Sequence, residues 1–278
     1  MDSSNQNGIV MFTPKENLQK LSKPELAKYF TSLFNQLSRT HSHYNTFEHF
    51  LDCCTNGFCV NYDNETMEYI RKKYTQDERY VFGEMLRVWV AYMDKAIIND
   101  NMFHDFFGTF YENQAMTKKS GFAQYFTPEP VCSFMASIVA PQEGAKGAAD
   151  PACGSGRMSL AIHALNHRLF HVVNDLDFTC AKMAALNFLI HGVKGIVTCD
   201  DGLFPGTKFK GAFIVNYHTA PFMEFVSDKD QANAFIHHVM PSSPVAPEQQ
   251  ADVKTEPVEP TENTTDKKPD IGTQLKLF

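Results

Sequence analysis

Asp150-Pro151-Ala152-Cys153-Gly154-Ser155-Gly156 places a carboxylate, two glycines and a serine between a short apolar stretch and the run Met158, Leu160, Ala161, Ile162, Leu165. That order reads as strand, glycine turn and helix start. Gly154 and Gly156 let a ligand approach the backbone with no Cβ in the way, and the helix start behind them offers unpaired N–H groups. A nucleotide-like ligand suits such a turn, although a purely structural tight turn would ask for the same glycines. About twenty residues on, His171-Val172-Val173-Asn174-Asp175-Leu176-Asp177 reads as a second strand ending in acid, where doubly wound sheets set a carboxylate against ribose hydroxyls. Asp175 is the better ribose candidate of the two. A solvated strand end is the plainer reading of both.

These groups need a scaffold. Phe178 to His191 carries Met183, Leu186, Leu189 and Ile190 at helical spacing and stops at Gly192, a C-cap residue. Strand patterns recur at Gly195 to Cys199 and Ala212 to Val215, and alternation of strand and helix predicts a mostly parallel sheet. Before Lys118 the chain reads as helical. Ser22-Lys23-Pro24-Glu25 has the form of a capping box, and Leu26, Tyr29, Phe30, Leu33 and Leu37 follow on one face. Tyr80, Val81, Trp89, Tyr92, Met93 and Ile97 mark another helix, and Phe103, Phe106, Phe107 and Phe110 a third. These aromatic stripes read as core rather than as a base-stacking platform.

The 278 residues carry a net charge of -7, which is not the signature of an autonomous DNA binder. Any nucleic-acid contact is therefore local, with Arg71-Lys72-Lys73 and Lys118-Lys119 as candidates. The seven cysteines form no secretory pattern. With no signal peptide and no apolar run long enough for a bilayer, the expected location is cytoplasmic. His41, His43, His49, Cys53, Cys54 and Cys59 lie close in sequence, but their spacing matches no zinc finger, and no metal is expected.

The glycine turn and acidic strand end resemble the adenine-N6 DNA methyltransferases that include the modification subunits of type I restriction systems. The likeness runs from about Asp105 to Asn216. Gln124-Tyr125-Phe126-Thr127-Pro128 is similar to the family's entry motif, and Phe107-Gly108-Thr109-Phe110-Tyr111-Glu112 to its lead-in. The resemblance implies S-adenosylmethionine as cofactor and DNA as substrate. By it Phe126, Thr127, Pro128, Asp150, Pro151, Gly154, Ser155 and Gly156 would hold the cofactor, Asp175 and Asp177 its ribose, and Asp201 its adenine ring. The family's chemical motif is Asn-Pro-Pro-aromatic, whose Asn and backbone carbonyl hold the amino group of a flipped adenine while the aromatic stacks on it. Asn216-Tyr217-His218-Thr219 stands at that place without either proline. Asn216 is the implied catalytic amide, with Tyr217 or Phe222 as the stacking ring.

From Pro241 to Gly272 Pro, Glu, Thr, Asp and Lys dominate, a composition that cannot bury a core. The closing Gln274-Leu275-Lys276-Leu277-Phe278 resembles the motif by which bacterial replication and repair proteins dock on the beta sliding clamp, which implies Gln274, Leu275, Leu277 and Phe278 as partner-binding residues. The expected organisation is a flexible start (1–16), a helical N-terminal domain (17–118), an α/β Rossmann-like S-adenosylmethionine-dependent methyltransferase domain (119–240) and a disordered tail (241–278). That sheet is expected to be incomplete, leaving the Ala212 to Val215 strand at an edge. The expected function is methyl transfer to adenine N6 in DNA, with specificity from a separate subunit or another chain. The alternative is a catalytically impaired, methylase-like adaptor recruited to the clamp.

Overall fold

Glu25 accepts hydrogen bonds from the Ser22 N–H at 2.8 Å and the Ser22 hydroxyl at 2.7 Å. With Pro24 in the first turn, this starts α1 (Lys23–Ser38) where the sequence places it. The computed structural model describes residues 17–100, 103–114, 125–139, 144–220 and 222–240, which fall in one compact unit. The basic pair Lys118-Lys119 and the tail with its C-terminal pentapeptide lie outside the described residues. Helix α1 is followed by α2 (His43–Phe58), a two-residue strand β1 (Cys59–Val60), α3 (Asn64–Lys73), α4 (Gln76–Asp100) and α5 (Phe106–Asn113). The aromatic stripes interlock as core. Phe30 meets Phe50, Phe106 and Phe110 edge-on at 5.5, 4.9 and 5.0 Å, and Trp89 lies over Phe107 at 4.6 Å.

The second part of the unit comprises α6 (Glu129–Ile138), β2 (Gly147–Asp150), α7 (Arg157–Leu165), β3 (Phe170–Asp175), α8 (Phe178–His191), β4 (Gly195–Cys199), β5 (Gly211–Val215), β6 (Met223–Val226) and α9 (Lys229–Val239). The sheet order is β1-β6-β5-β4-β3-β2. Helices α7 and α8 lie on one face, and one core runs from Leu18 through α8 to Met223. The helices of the region 17–118 thus share their core with the sheet, and β1 extends it. Helix α9 covers the other face, with Phe235 and Ile236 against Phe170, Ile196 and Ile214.

The sheet is mostly parallel, as the alternation of strand and helix predicts: β1, β2, β3, β4 and β6 share one direction, and β5 alone runs antiparallel to its neighbours β4 and β6. The reason lies in the link Asp200–Lys210, which contains no helix, whereas a parallel crossover needs about a dozen residues or more and usually a helix. The Asp200 carboxylate accepts the N–H groups of Asp201, Gly206 and Lys208 and folds the link back. The expected edge at the Ala212 to Val215 strand is corrected, because β6 and β1 continue the sheet beyond β5. Among the described residues, the outer side of β2 has no strand partner.

Beneath the sheet, burial holds His171 and His163 down from the usual 6.5 to about 4, and the charges of His163 and His167 respectively add to the effect. Neither ring nitrogen of His171 has a hydrogen-bond partner. Above pH 6.5 both rings are neutral in the folded and unfolded chain. Between 6.5 and 4 the unfolded chain takes up protons that the folded chain refuses, so stability falls as pH falls through this window. Urea midpoints measured from pH 7 to 4.5 are expected to drop, and to drop less in His171→Phe. An unchanged slope in that variant would acquit His171.

Candidate functional site

The glycine turn is built by backbone demands that only glycine meets. Gly154 and Gly156 have φ of 55° and 83°, the left-handed region. A Cβ on Gly154 would come within 2.8 Å of the Phe126 ring, and one on Gly156 within 3.2 Å of Ala184. Two bonds latch the turn to β3: the Cys153 N–H donates to the Asn174 carbonyl at 2.8 Å, and the Gly154 N–H to Asp175 Oδ2 at 2.8 Å. The second Asp175 oxygen accepts the Asp177 N–H at 2.9 Å. Asp175 therefore fixes the turn's position and still carries free lone pairs on both oxygens. Asp177 caps α8 by accepting the Thr179 N–H at 2.8 Å.

A cleft of about 330 Å³ opens at the C-terminal ends of β2 and β3. Asp150, Gly154, Asp175 and Asp177 line it together with Tyr125, Phe126, Thr127, Cys132, Met158 and Cys180, and Arg157, paired with Asp105, also reaches its lining. Burial raises the Asp150 and Asp175 carboxyls above the usual carboxylate range, against the stabilising donations of the Ala152 N–H to Asp150 and of the Asp177 and Gly154 N–H groups to Asp175. Carboxylates crowded in a half-buried space favour a ligand bearing positive charge and hydroxyl donors. The apolar lining residues Phe126 and Met158 suit a flat ring or a thioether-like chain.

Behind the cleft lies a polar hub that the sequence reading did not identify. Asp105 is fully buried and accepts from Gly108 N–H at 2.8 Å, Ser155 Oγ at 2.5 Å, Arg157 Nε at 2.9 Å and Asn187 Nδ2 at 2.8 Å. Arg157 also donates to the Thr127 carbonyl at 3.0 Å and to Glu112 at 3.3 Å, and lies 5.7 Å from the centre of the Phe126 ring. Glu112 in turn accepts the Phe126 N–H at 2.9 Å. The hub thus ties the wall Phe126-Thr127 to the glycine turn. The available signal was an isolated Asp105 before an aromatic run and an Arg157 directly after the last glycine.

The expected site residues do not all converge. Phe126, Thr127, Asp150, Gly154, Asp175 and Asp177 line the cleft. Pro128 is the N-cap of α6, Ser155 points into the hub, and Gly156 is the N-cap of α7. Pro151 and Asp201 line a second cleft of about 480 Å³ on the α9 side of the sheet. There Asp201 pairs with Lys208 at 3.0 Å, which together with the Leu203 and Phe204 N–H groups holds its carboxyl below the usual range.

Asn216, Tyr217 and Phe222 lie elsewhere. Val215 is opposite Gly195, and Gly195 opposite His171, whereas Cys199 is opposite Asp175. Asn216 therefore sits at the N-terminal ends of β3 and β4, about 13 Å or more along the strands from the cleft. Its Nδ2 donates to the carbonyls of Phe188, Leu189 and Val193 at 2.9, 3.4 and 3.0 Å, closing the end of α8. Tyr217 packs edge-on against Phe235 at 4.9 Å, and Phe222 is exposed. The expectation that Asn216 faces the cofactor site does not match this placement, and the antiparallel turn of β5 is the physical reason.

A family model of N-6 DNA methylases matches residues 99–253. The chain belongs to that family. The match takes in the hub, the glycine turn, the acidic end of β3 and the Asn216 strand. Family membership makes the chain a methyltransferase relative with DNA as its substrate class. Among the described residues no helix is long and apolar enough to cross a membrane, and no His, Cys, Asp and Glu cluster could hold a metal ion. His41 pairs with Glu78 and His49 with Tyr74, while Cys54 is buried.

Proposed function

We propose that the cleft at the ends of β2 and β3 binds S-adenosylmethionine and that the protein serves adenine-N6 methylation of DNA as the partner that holds the methyl donor. The observation that carries this reading is the meeting of Asp150, Asp175 and Asp177 with a glycine turn that no Cβ obstructs. A sulfonium, an ammonium and two ribose hydroxyls are the groups those carboxylates complement. Asp175 would take the ribose, and Phe126 and Met158 would cover the apolar part. The bound cofactor would supply an electrophilic methyl group; the chain's own residues orient it and exclude water from one side.

Transfer to adenine needs more than this cleft provides. The exocyclic nitrogen is a poor nucleophile, and hydrogen-bond acceptors must hold it in line with the methyl group. Asn216 cannot supply them, because its Nδ2 is bound at the end of α8 and the residue stands at the opposite ends of β3 and β4 from the cleft. The acceptor side therefore comes from a second chain, which also fits the absence of a basic DNA-binding composition. A second reading, favoured by the same placement of Asn216, is the adaptor: cofactor is bound, no methyl is transferred, and the C-terminal pentapeptide Gln274 to Phe278 brings the protein to the sliding clamp.

Calorimetry is expected to show S-adenosylmethionine binding that weakens by roughly 1.5–3 kcal/mol in Asp175→Ala, the range for hydrogen bonds to a charged group. Equal affinity in that variant would remove Asp175 from the site, and no binding by wild type would overturn the cofactor reading. Labelled S-adenosylmethionine with unmethylated DNA, with and without clamp, followed by nucleoside analysis, separates the two readings. N6-methyladenine formed by the chain alone would refute the need for a second chain.

A further inference from the structure

Helix α4 carries a glycine in its interior that nothing within the chain asks for. Glycine weakens a helix interior relative to alanine, so its use there points to a close approach by something else. Outside the helix's own turn, no atom lies within 4 Å of where a Gly83 Cβ would sit. Gly83 lines a pocket of about 400 Å³ between α2, α3 and α4. Met67, Ile70, Phe82 and Leu86 make its lining apolar. Burial pushes the thiol of Cys53, which also lines it, up to about 12, so that group is uncharged as well.

The charges at the pocket have one sign. Arg71 and Arg79 line it, and no carboxylate does. Lys72 and Lys73 follow Arg71 in the last turn of α3. Among the described residues no carboxylate pairs with any of these four cations. Glu78 and Glu84, beside Arg79 and Gly83 in the chain, are bound to His41 at 3.0 Å and Arg87 at 2.6 Å, while Glu68 and Asp77 are exposed and outside the lining. Arg79 Nη1 donates to the carbonyls of Arg71 and Tyr74, which fixes its guanidinium beside the pocket.

We propose that this pocket docks an acidic segment of another protein, which seats one large apolar side chain over Gly83 and sets carboxylates against Arg71, Lys72 and Arg79. Charge selects the occupant. The chain as a whole is acidic, at -7, so an acidic partner is repelled elsewhere and drawn here. An apolar anchor desolvated in a pocket and flanked by arginine–carboxylate pairs is how short segments gain most of their affinity. Duplex DNA could offer phosphates to Arg71-Lys72-Lys73, but its stacked bases present no protruding apolar group, and Gly83 would then have no use. The pocket shares no lining residue with the cleft at the ends of β2 and β3, and the proposal does not depend on what that cleft binds.

The probe is a library of random peptides displayed on phage, selected on the full chain and counter-selected on Gly83→Leu. That variant fills the pocket with its own side chain and replaces a poor helix former by a good one, so it should melt no lower than wild type. Peptides enriched on wild type alone are expected to combine several Asp or Glu with a Leu, Phe or Trp. As free peptides they should bind with a dissociation constant of about 1–100 μM by fluorescence anisotropy, at least tenfold more weakly to Gly83→Leu and to Arg71→Glu, and more weakly as salt rises. Should Gly83→Leu lose stability, Arg71→Glu with Lys72→Glu, both at exposed positions, keeps the test open. The absence of enriched peptides overturns the proposal, as does enrichment without acidic residues or equal binding to the variants. If a DNA duplex of random sequence binds through Arg71 and no peptide does, the basic turn is a phosphate contact and the proposal fails.

Discussion

Replacing Asp105 by alanine is expected to lower the stability of the folded protein by about 3–5 kcal/mol, the range for removing one member of a buried ion pair. The cost arises from what stays behind. Arg157, 6% exposed on its side chain, would keep only Glu112 as a charged partner at 3.3 Å. The Gly108 N–H, the Ser155 hydroxyl and one donation from Asn187 would lose their acceptor in a space closed to water. Because those donors belong to α5, the glycine turn, α7 and α8, the turn should loosen with them, and cofactor affinity should fall in a variant that still folds. Asp105→Asn should recover little, since its amide would present donors to a guanidinium. Replacing the pair together, Asp105→Leu with Arg157→Met, should restore much of the loss, because neither charge then remains unpaired. Gly108→Ala should resemble Asp105→Ala, as its Cβ would land on the carboxylate. Urea unfolding measures all four, and a loss below about 1 kcal/mol in Asp105→Ala would mean that water, not the hub, solvates Arg157.

What could be read from the sequence was what local chemistry decides. The capping box at Ser22, the helix from Phe178 to the left-handed Gly192 and the turn at Gly154 and Gly156 each depend on neighbours a few residues away, and each stands where the pattern put it. Strand order is a different kind of fact. Cys59–Val60 pairs with Met223–Glu224 across most of the chain, and a two-residue strand carries no periodicity to reveal it. Nor did alternation betray Met223–Val226, a four-residue strand behind a turn. The direction of β5 was in principle legible, because the link from Asp200 to Lys210 is too short and too rich in turn residues for a helical crossover. Reading Asn216 by its type and its strand-end position alone passed over that constraint. The hub was hidden for another reason: Asp105 and Arg157 are distant in sequence, and only folding brings their charges to 2.9 Å.

Asn216→Ala is expected to destabilise the fold by about 2–4 kcal/mol while leaving S-adenosylmethionine affinity unchanged. Two terms add. The side-chain amide is lost from three carbonyls at the end of α8; those of Phe188 and Leu189 keep the N–H groups of Val193 and Gly192, while the Val193 carbonyl loses its side-chain donor, a loss worth roughly 1–3 kcal/mol. The residue also has φ of 53°, which asparagine tolerates and alanine resists by about 1–2 kcal/mol. Asn216→Gly separates these terms: it relieves the backbone but not the carbonyls, so it should cost less than alanine. A catalytic amide would behave in the opposite way, with stability nearly intact and N6-methyladenine formation abolished. The comparison is decisive because the two roles need different surroundings. An amide working on adenine must keep its hydrogen-bonding capacity open to the substrate, whereas here the Nδ2 hydrogens point into the chain's own backbone. The Asn216 N–H is likewise taken, by the Phe222 carbonyl at 2.7 Å, so the turn after β5 is held from both its side chain and its backbone. To reach the cleft, Asn216 would have to break these bonds and β5 reverse its direction in the sheet. Loss of methylation with unchanged unfolding in Asn216→Ala would show that such a rearrangement occurs.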